Sequence, residues 1–345
     1  MLHSSGARER DGRGVDENMS KILVTGGAGY IGAHACKALA AAGFTPVCYD
    51  NLSTGHRDFV RWGPLVEGDI RNQALVADTV KRHGITAVMH FAAASLVGES
   101  VADPQKYYLN NLAGTLSLLA GMREAGCDRI ILSSTGAVYG DVPSGLISED
   151  LDCRPINPYG ASKWMIERLL ADYRAAYGMA CFCLRYFNAC GADASGEIGE
   201  NRDPETHLIP RAMMALQGHC EFAIFGDDYP TADGTAIRDY IHVTDLAAAH
   251  VLALRLMLEG HLGGSFNLGT GTGFSVRQVV AAIAAAAGRE VPLTMKPRRA
   301  GDPAELVADP ARARATLGFK ATCSDLPTIV GSAWAWHRKA HPLRT

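Results

Sequence analysis

The chain has 345 residues, 48% hydrophobic and 20% charged, a globular composition with ample core for one bilobal unit or two domains. A formal net charge of −3 lacks the basic footprint of a nucleic-acid binder, so no nucleic-acid partner is expected. The 9 cysteines are odd in number and include no C-x-x-C, so neither a disulfide framework nor a zinc site is expected, and a reduced, cytoplasmic setting is the natural reading.

Residues 1–18 are polar, glycine-rich and mixed in charge, without the apolar core of a signal peptide. They are expected to form a disordered extension, with Met19 as the functional start. No apolar stretch is long enough to span a bilayer, so no membrane association is expected. Lys21-Ile22-Leu23-Val24 then reads as a strand, Thr25 to Gly32 as a glycine turn, and Ala33 to Ala42 as a helix that Gly43 stops. Gly27, Gly29 and Gly32 satisfy G-x-G-x-x-G, and Gly26, Gly29 and Gly32 satisfy G-x-x-G-x-x-G. Absent side chains let backbone approach a pyrophosphate, and the helix N-terminus offers free N–H groups and partial positive charge. A turn that merely needs glycines is the plain alternative.

The next strand, Pro46 to Tyr49, ends in Asp50-Asn51, an acid about twenty residues past the glycines, suited to adenosine ribose hydroxyls. A carboxylate there repels the extra phosphate of NADP and favours NAD, although Arg57 lies close in sequence. Glu67-Gly68-Asp69-Ile70 closes another strand; Asp69 suits the adenine amino group with Ile70 packed on the ring, or serves as a helix N-cap. Ala87 to Ala93 is a strand with a small-residue exit, and Tyr107, Tyr108, Asn110 and Asn111 begin the helix that follows. Arg129 to Thr135 is a buried-type strand ending in hydroxyls, at the sheet end where ligands gather; turn satisfaction is the alternative for those hydroxyls.

Pro158 suits the first turn of a helix, and Trp164 to Leu170 continues at helical period. Tyr159 and Lys163, four apart, then rise from one face. An ammonium near a phenol stabilises the phenolate and lowers its pKa from about 10, which makes a general base. In isolation the pair reads as two surface residues, because Y-x-x-x-K alone occurs often by chance. Cys181 and Cys183 lie on an apparent strand and are expected to face opposite sides. After Asn188 the sheet pattern breaks down, and Gly191 to Glu205 is a polar loop. Leu268 to Gly273 is a second glycine cluster, read as a turn after a strand with Ser275 capping the next helix. Val279 to Ala287 reads as a buried helix face, and His337 with His341 lacks the partners of a metal site, so no metal is expected.

On Thr25–Gly32, Asp50–Gly55, Val97–Ser100, Ser133–Gly140, Tyr159–Lys163, Leu184–Asn188, Ala223–Thr231 and Arg238–Val243, the chain resembles the extended short-chain dehydrogenase/reductases. Within them it is most similar to the UDP-glucose (UDP-galactose) 4-epimerases, from Lys21 to about His341. The resemblance implies an α/β fold: a Rossmann-type doubly wound parallel sheet over 19–187, with returning segments around 238–272, and a smaller UDP-sugar-binding lobe over 188–345. It implies an isomerase with bound NAD, in which Tyr159 takes the 4′-hydroxyl proton, the C4′ hydride passes to the nicotinamide, and the ketose turns and regains the hydride on its other face. Lys163 would hold the nicotinamide ribose, and Thr135 would bridge substrate and tyrosine. Gly26, Gly29, Tyr30, Ile31, Gly32, Asp50, Asn51, Asp69, Ile70, Phe91, Ala92, Asn110, Ser133 and Tyr186 would complete the NAD site. Asn188, His207 and Leu208 would contact the substrate, Phe225 would stack on uracil, Arg238 and Arg299 would clamp the diphosphate, and Asp302 would bind ribose. Leu306 stands where bulk limits the sugar 2′-substituent, which implies tolerance of N-acetyl sugars.

The chain departs from the pattern where many epimerases carry a lysine near the cofactor phosphates; here stands Ser95. His207 stands in place of a usual asparagine. A 4,6-dehydratase needs an acid–base pair after the threonine, which Gly136-Ala137 does not supply. A UDP-pentose or UDP-uronate 4-epimerase and a non-catalytic NAD-binding regulator remain the alternatives. The resemblance also implies a homodimer through Tyr107–Met122 and Tyr159–Tyr177.

Overall fold

The computed structural model describes residues 20–142, 145–299 and 302–340. The expected extension over 1–18, Met19, Gly301 and His341 lie outside the described residues. The chain begins with β1 (Lys21–Thr25), α1 (Tyr30–Ala41), β2 (Thr45–Asp50), β3 (Leu65–Glu67), α2 (Gln73–His83) and β4 (Ile85–His90). It continues through α3 (Val97–Ala102), α4 (Pro104–Tyr107), a wide helical turn over Tyr108–Ala113, α5 (Gly114–Glu124), β5 (Arg129–Thr135), β6 (Leu146–Ile147), α6 (Pro158–Tyr177) and β7 (Ala180–Tyr186). The second half holds β8 (Asn188–Cys190), α7 (Leu208–Leu216), β9 (Ala223–Phe225), β10 (Ile237–Arg238), β11 (Tyr240–His242), α8 (Val243–Leu258) and β12 (Gly263–Leu268). Then come β13 (Phe274–Ser275), α9 (Val276–Ala287), β14 (Thr294–Lys296), β15 (Glu305–Ala308), α10 (Ala311–Leu317) and α11 (Leu326–Ala340).

The main sheet has 7 strands in the order β12-β7-β5-β4-β1-β2-β3, all parallel. Its strands are near-continuous apolar runs because helices cover both faces. One face packs Ile22, Val24 and Phe182 against Leu39, Leu246 and Leu254 of α1 and α8. The other packs Leu23, Val88 and Ile130 against Val76, Leu118, Met122 and Ile166. Each such fully buried aliphatic contributes about 1.5–3 kcal/mol. The order reverses between β1 and β4, and this switch point opens a crevice at the carboxyl ends of the strands. Beside the main sheet stand a second sheet, β13-β10-β15-β6, which draws on Leu146–Ile147 as well as on the second half of the chain, and a cluster that includes Met213, Ile283 and Ile329.

Several expectations change in detail. α1 starts at Tyr30, not Ala33, because the glycine turn leads straight into helix at Gly29. Tyr107 ends α4, and Asn110 and Asn111 lie in the wide turn rather than at a helix start. Cys181 and Cys183 face the same side of β7, both in the cluster with Ile166 and Leu170, since a strand has period two. The N-cap of α2 is Asn72, whose side chain accepts from Leu75 N at 3.1 Å, not Asp69. Ser275 does cap α9, in a reciprocal box with Gln278.

The element that carries Tyr159 and Lys163 is set by a buried ion pair. Glu167 of α6 meets Arg185 of β7, with side chains 3% and 5% exposed and an Nη2–Oε2 distance of 2.6 Å. Arg185 Nη1 also donates to Tyr139 Oη at 2.8 Å, and Ser134 Oγ donates to Glu167 Oε1 at 2.5 Å. Glu167→Ala should lower unfolding stability by about 3–5 kcal/mol, because it strands a buried guanidinium; chemical denaturation followed by circular dichroism measures it.

Candidate active site

The Gly26–Gly32 turn lies at the carboxyl end of β1. Gly26 has φ +71°, and a Cβ there would lie 2.6 Å from Ala92 N; one on Gly32 would lie 2.1 Å from Gly26 O. These close approaches bring β1, α1 and the exit of β4 together with bare backbone between them. No side chain caps the N-terminus of α1, so its first N–H groups face the crevice unclaimed by side chains. Asp50, buried at the end of β2, accepts from Ala28 N at 2.9 Å and Leu52 N at 2.8 Å. Burial raises its pKa against those two bonds. A carboxylate so fixed keeps lone pairs for ribose hydroxyls. This cradle fits a dinucleotide.

Asn51 donates to Asp69 at 3.0 Å, and Arg71 binds the same carboxylate at 2.7 Å. The Arg71 bonds hold the Asp69 pKa well below the usual range. Asp69 is therefore engaged by side chains already, with Ile70 buried beside it. Tyr30, the first residue of α1, turns its hydroxyl to Gly191 O at 2.6 Å. Phe91 leans on His250 with ring centroids 4.7 Å apart. Asn110 donates to Asn111, and it is the buried Asn111 that ties Ala94 to Ser162.

Asn157 caps α6 at Gly160 N (2.9 Å), with Pro158 in the first turn. A Cβ at Gly160 would lie 2.4 Å from Ala137 O, so glycine lets α6 close on the turn after β5. That contact sets Tyr159 beside Thr135. Burial raises the Tyr159 pKa, opposed by a hydrogen bond with Thr135 and by the charge of Arg202. Lys163 is buried and donates to Ser133 O at 2.8 Å; burial lowers its pKa to about 8. At the phenol burial is the largest influence, while the Lys163 ammonium gives one of its three donors to Ser133 O. Ser133 Oγ hydrogen-bonds the Tyr186 hydroxyl. Thr135 Oγ1 accepts from Ala137 N at 3.1 Å, and a Cβ at Gly136 would lie 2.9 Å from the Phe187 ring, which leaves no room for an acid there.

Asn188, His207 and Leu208 share a small cavity of about 40 Å³ with Glu200 and Tyr240. Asn188 Nδ2 donates to Asp239 O at 2.9 Å. Arg238 pairs with Asp302 and donates to Pro303 O at 2.9 Å, so clamp and ribose candidates bind each other. The Arg299 guanidinium lies 4.1 Å over the Phe225 ring and covers one face of it. Leu306 packs with Val138, Tyr139 and Ile147. Sequence reasoning missed Glu200, Arg202 and Glu205, which sit in a polar loop without periodicity.

Glu200, Glu205 and His207 hold ligand-type atoms within 4.8 Å of one another. Arg202 donates to Glu200 at 3.1 Å, so the group is an ion-pair network. Burial opposes protonation of His207, but Glu200 and Glu205 outweigh it and push its pKa up to about 9. A raised histidine pKa gives stability that is full below about 6.5 and lost as pH rises through 9. Thermal melts of the wild type should fall over that window, and His207→Asn should flatten the fall.

Residues 22–269 match the model of the NAD dependent epimerase/dehydratase family. The UDP-glucose 4-epimerase of Rhizobium meliloti (strain 1021) is 50% identical over 321 residues, 93% of this chain and 98% of that protein. The crystal structure of UDP-glucose 4-epimerase from Brucella ovis in complex with NAD superposes with TM-score 0.90 at 54% identity, covering 92% of this chain and 98% of that one. The enzyme from Bifidobacterium longum, in complex with NAD+ and UDP, superposes with TM-score 0.88 at 37% identity, covering 93% and 98%.

Proposed function

The chain belongs to the NAD dependent epimerase/dehydratase family, and from that premise we propose that it is an NAD-dependent UDP-hexose 4-epimerase interconverting UDP-glucose and UDP-galactose. The observation that carries the reading is Tyr159, on a helix closed against the end of β5, hydrogen-bonded to Thr135 at that end, with β4 alone between β5 and the strand that leads into the glycine cradle. NAD, when bound, supplies the hydride acceptor and the returning hydride. Gly26, Gly29, Gly32 and the α1 backbone would hold its diphosphate, and Asp50 its adenosine ribose. Tyr159 would remove the 4′-hydroxyl proton and return it to the same oxygen once the hexose has turned its other face. Thr135 orients the sugar hydroxyl toward the phenol. Lys163 would anchor the nicotinamide ribose while Ser133 O fixes its ammonium. The small lobe would grip UDP through Asn188, Phe225, Arg238, Arg299 and Asp302, and leave the hexose loose enough to turn. The Arg238–Asp302 pair would then open or share its donors with the diphosphate.

A homodimer is part of this reading. Leu109, Leu116, Met165 and Tyr177 are exposed apolar side chains on the wide turn, α5 and α6, which suits pairing with a second copy. No described helix is long and apolar enough to cross a membrane, and we place the protein in the cytoplasm on its free cysteines.

Tyr159→Phe should fold and retain NAD while losing about 10²–10⁴ in kcat, the share of a general base. Conversion of UDP-galactose without added cofactor is the assay; wild-type turnover would remove the assigned base. Leucine at 306 should permit measurable conversion of UDP-GlcNAc. Leu306→Tyr should abolish that conversion and keep UDP-galactose turnover, as product analysis by chromatography would show.

A further inference from the structure

Arg202 lies in the loop between β8 and α7 and is fixed at two points. Its Nε donates to Glu200 Oε1 at 3.1 Å, and its Nη1 donates to Ser95 Oγ at 3.2 Å. Glu200 is itself anchored: its backbone oxygen accepts from Trp336 Nε1 at 2.9 Å, and Oε1 faces His207 Nδ1 at 3.0 Å. A guanidinium has five N–H donors. Among the described residues, Nη2 of Arg202 has no protein partner. The side chain is 28% exposed, so its charge is only partly screened.

The position matters as much as the spare donors. Ser95 follows β4 by way of Ala92, the residue whose nitrogen crowds the Gly26 turn. Arg202 thus reaches from the small-lobe side to the rim of the cradle. Its charge is also felt at the hydroxyls of both Tyr159 and Tyr186. Glu205 is taken up by His207 and by the N–H groups of Thr206 and His207, at 2.7 and 2.8 Å. That leaves Arg202 as the member of the network with donors to offer. The uncapped start of α1 adds a second positive end on the other side of the same crevice.

We propose that Arg202 is an anion clamp of this crevice, binding the diphosphate of a nucleotide that lies between the Gly26–Gly32 turn and Tyr159. The inference rests on the functional reading above, which supplies such nucleotides from two sources, the dinucleotide and the nucleotide sugar. A forked guanidinium held at its base presents parallel N–H groups to phosphate oxygens, which a lysine ammonium does not reproduce.

The test uses the full chain with its cofactor. Arg202→Gln keeps a donor for Ser95 and removes the charge; Arg202→Lys keeps the charge and removes the fork. NAD retained per protomer is measured after dialysis at rising salt, and UDP affinity of the loaded protein by calorimetry. Arg202→Gln should weaken one of these about tenfold and flatten its salt dependence, with Arg202→Lys about threefold weaker. Loss of NAD assigns the dinucleotide's diphosphate, and loss of UDP affinity assigns the nucleotide sugar's. Values within twofold of wild type in both variants, or a loss in Arg202→Gln with an unchanged salt slope, would overturn the clamp. If Arg202→Gln fails to fold, Arg202→Lys decides alone: binding about threefold weaker with the wild-type salt slope supports the clamp, and binding within twofold of wild type overturns it. A wild-type protein that bound neither NAD nor UDP would sink the functional reading as well, which separates the two failures.

Discussion

The buried Glu167–Arg185 pair is the constraint from which the geometry of the cleft follows. Taking both charges out of water costs several kcal/mol per ion, and mutual attraction offsets this only if every lone pair and proton is satisfied. Here the satisfaction is complete enough to act as a locating pin. Ser134 at the end of β5, Ser265 on β12, Arg185 on β7 and Tyr139 beyond the β5 turn all converge on one α6 side chain or its partner. Glu167 stands one helical turn past Lys163 and two past Tyr159. Rotation of α6 about its axis by even part of a turn would break the pair, so the helical phase of the tyrosine and lysine is set by an interaction that touches no ligand. The Glu167 carboxylate also pulls the Lys163 pKa upward against its burial, so the same residue supports the charge that the nearby ribose would need.

The cleft works against an internal conflict. Dryness strengthens each hydrogen bond in it, yet dryness also favours the neutral forms of phenol and amine. The structure records both effects, with the Tyr159 pKa raised and that of Lys163 brought down to about 8. A general base is most effective when its pKa lies near the working pH. Positive charge near the phenol opposes that effect of burial, and Arg202, on the loop between β8 and α7, is one source of it.

The main sheet was legible because its strands are buried on both faces. Lys21–Val24 and Arg129–Thr135 read as apolar runs that end in glycines or hydroxyls, and the structure places strands over Lys21–Thr25 and Arg129–Thr135. The Gly26 turn and the Pro158 start of α6 were legible for a different reason, since glycine spacing and a proline in a helix's first turn are local signals. What was not legible lies across the chain. Arg202 and Ser95 are 107 positions apart, and nothing local marks either. Asn110 and Asn111 are chemically identical neighbours, and only the phase of the wide turn decides which is buried between Ala94 and Ser162. Strands such as Ile237–Arg238 and Phe274–Ser275 are too short to show any period. Tyr159 and Lys163 do lie one turn apart on α6, but the ammonium's bond to Ser133 O is a tertiary contact that helical spacing does not contain.

The two glycine clusters show why composition alone cannot assign a phosphate loop. An anion needs N–H groups that no internal acceptor has claimed. At Gly26–Gly32 the turn opens onto α1, whose N-terminus carries no side-chain cap. At Gly269–Gly273 the donors are already spent: the buried Asp239 carboxylate accepts from Thr270 N at 3.0 Å and from Gly271 N at 3.3 Å, and also from Ala308 N at 3.2 Å. That carboxylate holds the end of β12, in the main sheet, against β15, in the small one. A phosphate approaching it would meet negative charge, while one approaching Gly26–Gly32 meets a helix end. Glycine supplies close approach in both places, but Asp50 claims only the Ala28 N–H of the first turn and leaves the start of α1 uncapped, whereas Asp239 takes the N–H groups of both Thr270 and Gly271 in the second.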